Sequence, residues 1–237
     1  MKLEQIQNKI KIFCDGPNLH EINSDLSVKL DGYTFNPSLF KKNKADDYLA
    51  YSKMLLKECG DKPVSLEVIG DEKNKMIEQG IKLANLKNNV YVKVPIIFTN
   101  GDSTKDIILE LVKSKIKLNI TAIFTLEQIK NILPIIENTE TILSVFVGRI
   151  YDSGVDGGQI IEEINSYVHK NSKCKTLWAS TRMSFDIVKA IQTKSDIITM
   201  QIEQIRKLNK FGKNLVEYSK ETVNQFYNDA KSSGYEF

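Results

Sequence analysis

The 237-residue chain is poor in the residues that build several common kinds of site. Its three cysteines, Cys14, Cys59 and Cys174, are far apart and show no CxxC spacing, which excludes a disulfide framework and a thiolate zinc site and fits a reducing compartment. Two histidines, His20 and His169, are too few and too isolated for a His-rich metal centre, although a magnesium site made of carboxylates is open on this count. No apolar run approaches the roughly 20 residues of a membrane span. Residues 1–11 alternate polar and charged side chains without an apolar signal core, so a cytoplasmic protein with no membrane partner is expected. Charge of one sign is also scarce. Lys+Arg 33 against Asp+Glu 30 leaves a formal +3, and the lysines are interleaved with acids, so no nucleic-acid partner is expected. Neither GxGxxG after the first strand candidate nor a Walker loop is present, which weakens a dinucleotide-binding or nucleotide-triphosphate reading.

What the chain does have is regular alternation. Short β-branched runs fall at residues 11–15, 29–34, 64–69, 90–95, 117–121, 141–147, 175–180 and 196–200. Helical spacing lies between them. Met76, Gly80, Leu83 and Ala84 form one stripe, and Ile160, Ile161, Ile164, Tyr167 and Val168 another. Thr125 followed by Gln128 reads as a capping box. Eight such units with no linker predict an α/β protein with a parallel sheet, closed as a (β/α)8 TIM barrel, with the open doubly wound sheet as the rival. A single domain is expected over residues 1–237, with the barrel at about 10–210 and an extra C-terminal helix at about 214–231. The stretch 215–230 carries Val216, Val223, Phe226, Tyr227 and Ala230, a stripe suited to closing the barrel bottom or to reaching a neighbouring subunit.

In such a barrel the polar residues at the C-terminal ends of strands face the active site. Here those ends supply Asp15, Thr34, Asn36, Glu67, Lys93, Asn119, Thr121, Ser144, Arg149, Ser180 and Arg182. Lys93 is the only charge in Val90-Tyr91-Val92-Lys93-Val94-Pro95-Ile96-Ile97. A lysine in apolar surroundings loses hydration, which favours the neutral amine, and a neutral amine attacks carbonyls to give a Schiff base. A snorkelling lysine or a buried structural ion pair is the alternative. Asp15 suits an acid/base or a helix cap. Glu67 interrupts Val64-Ser65-Leu66-Glu67-Val68-Ile69, where a carboxylate must be paired, hydrogen-bonded or functional. Arg149 and Arg182 suit a phosphate or carboxylate, or ordinary salt bridges.

Seven segments together resemble the transaldolase family. They are Asp15-Gly16-Pro17-Asn18, Thr34-Phe35-Asn36-Pro37-Ser38-Leu39, Val64-Ser65-Leu66-Glu67-Val68, Val92-Lys93-Val94-Pro95, Asn119-Ile120-Thr121, Ser144-Val145-Phe146-Val147-Gly148-Arg149 and Ala179-Ser180-Thr181-Arg182, and they occur in the family's order. The resemblance implies a class I, metal-independent enzyme without a cofactor, in which Lys93 forms the Schiff base and Asp15 is the acid/base. Glu67 and Thr121 match the pair that holds the catalytic water. Asn36, Asn119 and Ser144 match residues that bind the donor's hydroxyls and carbonyl, and Thr34 and Ser65 fall among the substrate-binding positions. Arg149, Ser180 and Arg182 match the phosphate site. The implied reaction moves a dihydroxyacetone unit between sugar phosphates.

The alternatives are a plain aldolase of the fructose-6-phosphate aldolase branch and a sugar-phosphate-binding protein without turnover. That branch tends to carry Gln and Tyr where this chain has Glu67 and Phe146, which favours transfer. Short members of the family often assemble as pentamers or decamers through a C-terminal helix, so a homo-oligomer is a further expectation. The chain departs from the family pattern at Gly16-Pro17, Phe35, Ile96-Ile97, Asn138 to Thr141 and Val145, and it lacks the usual His-Pro motif around Lys210-Phe211-Gly212. These departures touch the acceptor side and the rim.

Overall fold

The computed structural model describes residues 3–24, 26 and 28–235. Eight parallel strands close into a barrel in sequence order, with the first paired to the last. They are β1 (Lys11–Asp15), β2 (Gly32–Thr34), β3 (Val64–Glu67), β4 (Val90–Pro95), β5 (Leu118–Ile123), β6 (Ile142–Val145), β7 (Lys175–Trp178) and β8 (Ile197–Met200). Helices alternate with the strands and form the outer layer. The closed barrel excludes the open-sheet rival.

The apolar pattern sorts into two layers because successive strand residues point to opposite faces. Ile12, Cys14, Tyr33, Leu66, Val92, Val94, Ile120, Leu143, Val145, Trp178 and Ile198 pack outward against the helices. Met76, Gly80 and Leu83 face them from helix Lys73–Ala84, and Ile161, Ile164 and Val168 from helix Gly157–Asn171. Inside the barrel a smaller cluster, Phe13, Ile142, Leu177, Ala179 and Ile197, fills the floor with Tyr91 and Phe146 against it. The polar residues of the site stand on this floor. Thr125 and Gln128 form the expected capping box at the start of helix Leu126–Ile136.

Several strands end elsewhere than the β-branched runs predict, each for a local reason. The 29–34 run becomes strand only at Gly32, because the Asp31 carboxylate takes the Ile12 amide at 2.9 Å. The 64–69 run stops at Glu67, because the amides of Ile69 and Gly70 both donate to the Gln79 side chain, at 2.9 and 2.8 Å. The 117–121 run continues to Ile123 through a register shift, with Ala122 in the left-handed region at φ 58°. The 141–147 run ends at Val145, since helix Val147–Asp152 already begins, and Arg149 therefore sits on a helix rather than on a strand end. The 175–180 run ends at Trp178, and Ser180 lies beyond it at φ 63°.

Helix Leu215–Ser233 has no buried residue, and Leu215, Val216, Val223, Phe226 and Tyr227 on it are exposed. It does not close the barrel bottom.

One glycine sets how closely two rim segments approach. A Cβ on Gly148 would lie 1.6 Å from the carbonyl oxygen of Ser180, so only glycine lets the helix carrying Arg149 meet the loop carrying Arg182. The clash is with backbone, which cannot swing away. Gly148→Ala is expected to lower stability by about 1–3 kcal/mol, the usual range for overpacking. Chemical denaturation measures it, and an unchanged midpoint would show that the two segments separate freely.

Candidate active site

Lys93 stands near the end of β4, inside the barrel, with 4% of its surface exposed. Its Nζ lies 3.0 Å from Glu67 Oε2, which β3 delivers by direct register pairing of the two residues. The same amine reaches the Phe35 carbonyl at 3.5 Å. A buried ammonium without a counter-charge is costly, and Glu67 supplies one at contact distance. The pair also sets a condition on reactivity. Nζ must give up a proton before it can attack, and Glu67 Oε2 is the base in reach. The β3–β4 register is held from behind by Tyr48, whose hydroxyl donates to the Glu67 carbonyl at 2.6 Å while its ring stacks on Phe40 at 4.3 Å.

Across the barrel floor runs a hydrogen-bonded polar row. Ser144 Oγ donates to Asn119 Oδ1 at 2.7 Å, and Asn119 Nδ2 donates to Ser65 Oγ at 2.9 Å. Asn119 is register-paired with Lys93, so this row is anchored beside the amine. Thr121, next inward-facing on β5, is buried, and its hydroxyl has no partner among the described residues. A buried hydroxyl without a protein partner has room for a hydrogen bond to water.

Asp15 closes the other side of the mouth at the end of β1. Thr34 Oγ1, its register partner on β2, donates to Asp15 Oδ1 at 2.7 Å. Burial pushes the Asp15 carboxyl above its ordinary 3.8; the Lys93 ammonium and the Thr34 hydroxyl pull it down, and the Glu67 carboxylate pushes it further up. A carboxyl so placed exchanges protons closer to neutrality than a surface aspartate does. Asn36 spends its side-chain oxygen capping helix Pro37–Lys42, where Leu39 N donates to it at 2.9 Å.

A cavity of about 210 Å³ opens over these groups. Asp15, Thr34, Asn36, Lys93 and Ser144 line its inner part, and Phe146, Arg149, Ser180 and Arg182 line its outer part. The two arginines are not equivalent. Arg182 is held by Asp152, with Nε donating to the two carboxylate oxygens at 3.0 and 3.1 Å and a further bond from its terminal nitrogen. Its Nη1 also donates to the Ser180 carbonyl at 3.0 Å. Arg149 has no ion pair among the described residues and lies over the Phe146 ring at 5.4 Å. It also lies within the field of the Asp152 carboxylate, which both arginines hold below its ordinary value.

Of the sequence-predicted residues, Asp15, Thr34, Asn36, Lys93, Ser144, Phe146, Arg149, Ser180 and Arg182 line this cavity; Ser65 and Asn119 lie in the polar row, Glu67 reaches the site through its ion pair with Lys93 and lines a neighbouring pocket with Tyr48, and Thr121 is buried off the cavity wall. Sequence reasoning missed Thr199, Thr181 and Gln201, which also line the cavity, and Asp152, which restrains Arg182. Thr199 carried a signal, as the one polar residue of Ile197-Ile198-Thr199-Met200. Asp152 carried none, since its pairing crosses two loops. No group of three or more metal-ligating side chains occurs among the described residues, and no helix there is long and apolar enough to cross a membrane.

Comparison with known proteins bears on this geometry. A family described as Transaldolase/Fructose-6-phosphate aldolase matches residues 12–236. A probable transaldolase of Thermoplasma volcanium is 33% identical over 211 residues, covering 86% of this chain and 90% of the relative. A probable transaldolase of Bdellovibrio bacteriovorus is 31% identical over 201 residues, covering 84% and 89%. Among solved structures, dihydrodipicolinate synthase from Rhodopseudomonas palustris superposes with a TM-score of 0.57 at 11% identity, over 98% of this chain and 80% of that one, a likeness of fold alone.

The raised Asp15 carboxyl makes a stability prediction with a definite sign. A group whose folded-state pKa lies above its unfolded value favours folding at low pH, and that contribution is lost as pH rises through the folded value. Asp15→Asn removes the buried charge and keeps an acceptor for Thr34. The variant is expected to be more stable than the parent protein at pH 8, with the difference vanishing below the ordinary aspartate value of 3.8. Urea denaturation at several pH values measures this, and a gain that does not change with pH would contradict it.

Proposed function

The chain belongs to the transaldolase/fructose-6-phosphate aldolase family, and from that premise we propose that it transfers a dihydroxyacetone unit between sugar phosphates through a Schiff base on Lys93. The observation that carries the reading is the buried Lys93 amine, 3.0 Å from a carboxylate, in the cavity that Asp15 also lines.

In this reading Lys93 Nζ passes a proton to Glu67 and attacks the ketone carbon of the donor. Loss of water from the carbinolamine gives an iminium ion, which is an electron sink. Asp15 takes the proton of the hydroxyl next to the bond that breaks, the electron pair of that carbon–carbon bond moves onto the iminium, and an aldose phosphate leaves. The enamine that remains attacks an acceptor aldehyde, and Asp15 returns its proton to the new alkoxide. Glu67 and the open Thr121 hydroxyl hold the water that forms and later dissolves the carbinolamine. Asn36 and the Ser144–Asn119 row hold the donor's hydroxyls and carbonyl. Arg149 and Ser180 take the phosphate, with Arg182 held at its side by Asp152, and their contribution is orientation. Phe146 offers no phenol to protonate the carbanion, so the intermediate waits for an aldehyde, which favours transfer over free cleavage.

Borohydride trapping with fructose 6-phosphate and with fructose, read by intact mass, tests the reading. The parent protein is expected to trap the phosphorylated ketose far better than the free sugar, and Lys93→Met to trap neither. Adduct formation surviving in Lys93→Met would remove Lys93 as the nucleophile, and equal trapping of both sugars would remove the phosphate site.

The exposed apolar stripe on helix Leu215–Ser233 supports assembly into a homo-oligomer, a pentamer or decamer, through that helix. Light scattering is expected to give a multiple of the 27.0 kDa chain mass. A monomer at micromolar concentration would contradict the assembly.

A further inference from the structure

Thr199 lies on β8, opposite the lysine strand and in a place that the mechanism above does not use. It is register-paired with Phe13 on β1, and its side chain is buried at the cavity floor. Its Oγ1 is 2.6 Å from Thr34 Oγ1, and Thr34 Oγ1 is in turn 2.7 Å from Asp15 Oδ1. A threonine hydroxyl has one proton to give. If Thr34 spends it on the Asp15 carboxylate, its contact with Thr199 can only be one in which Thr199 donates. The three residues then form a single directed chain, Thr199 to Thr34 to Asp15 Oδ1.

We propose that Thr199 is a positioning residue that locks this chain in one direction, so that Asp15 Oδ1 is permanently occupied and Oδ2 is the oxygen that carries the proton to and from the substrate. The inference rests on the reading of Asp15 as the acid/base. Without the Thr199 donor, the Thr34 hydroxyl is free to turn, and its bond to the carboxylate loses the polarisation that a second donor provides. Thr181 Oγ1 donates to Gln204 Oε1 at 2.6 Å on helix Ile202–Lys207, with the Thr199 carbonyl at a longer 3.3 Å, so the Ser180–Arg182 segment packs beside the end of β8.

The proton balance is simple. Oδ2 accepts the substrate hydroxyl proton as the carbon–carbon bond pair moves to the iminium, and gives the same proton to the alkoxide formed on the acceptor. Oδ1 keeps its bond from Thr34 throughout. The charged groups that face Asp15 are Lys93 from β4, Lys42 from helix Pro37–Lys42 and Glu67 from β3; the neighbouring Cys14 thiol is pushed up by burial and stays neutral. None of them is altered by a change at Thr199.

The test compares Thr199→Val and Thr199→Ser with the parent protein in two measurements. The first is titration of the Asp15 carboxyl carbon by NMR in aspartate-labelled protein, assigned with Asp15→Asn. The second is the pH profile of kcat. Thr199→Val is expected to move the Asp15 midpoint up by about half a pH unit, the size of a weakened neutral hydrogen bond. It should lower kcat about fivefold, a small part of the roughly 10²–10⁴-fold that a positioned acid/base contributes, and shift the acidic limb of the profile in the same direction, with the donor KM little changed. Thr199→Ser restores both. Thr199→Ala serves as the second apolar variant if valine disturbs packing.

An unmoved midpoint in the valine and alanine variants, or a serine variant that behaves like valine, overturns the proposal. The NMR titration does not need turnover. A midpoint that shifts while the parent protein forms no Schiff base would keep the hydrogen-bond chain and discard the catalytic reading, whereas trapping with no midpoint shift would do the reverse.

Discussion

A charged amine buried in a barrel has to be neutralised where it stands, and much of this molecule answers that requirement. Lys93 meets Glu67 at 3.0 Å because β3 and β4 are in direct register at those two residues. The register is fixed on the outer side by Tyr48 on the Glu67 carbonyl, and inside by the Ser65–Asn119–Ser144 row. The ion pair is an economical device. It lets a lysine sit in an apolar strand, and in the proposed mechanism it places beside that lysine the base that releases it for attack. Removing either partner would leave a lone charge in a poorly solvated place, which is the costly case.

Asp15 interacts with both members of that pair; burial pushes its carboxyl up, and Thr34 steadies it through one oxygen. At the rim Arg182 is paired with Asp152, while Arg149 makes no direct ion pair among the described residues and lies over the Phe146 ring. Gly148 makes the outer part compact by letting two backbone segments touch. The inner part suits bond making and the outer part suits holding an anion, and a cavity of about 210 Å³ joins them.

Much of this was legible in the sequence because barrels impose simple rules. Period-two alternation in runs such as Val90 to Pro95 singles out Lys93 as a charge that must face inward, and the C-terminal ends of the strands collect the polar residues. Strand ends were less legible, for they are decided by side chains that compete for backbone amides. Gln79 stops β3 and Asp31 delays β2, and neither effect follows from β propensity. The pattern puts Arg149 just past a strand end and Ser180 at the last position of one; they lie on a helix and in a left-handed turn, yet both still line the cavity, because the short connections leave them near the strand ends. What the sequence hid was pairing between distant segments. That Arg182 would be taken by Asp152, or that Thr199 would stand behind Thr34, depends on how eight units close on one another.

The central claim is that Lys93 forms an iminium ion with a ketose phosphate, with Glu67 handling the water. Exchange of the donor's carbonyl oxygen with solvent tests it most directly, since a carbinolamine must lose that oxygen as water and regain one on release. Fructose 6-phosphate labelled with oxygen-18 at its carbonyl is incubated with the protein, and label retention is followed by mass spectrometry. The account predicts that label washes out well above the spontaneous rate, and that Glu67→Gln slows the loss. Label retained at the spontaneous rate, under conditions where the sugar is turned over, would contradict the Schiff base and with it the role given to the Lys93–Glu67 pair.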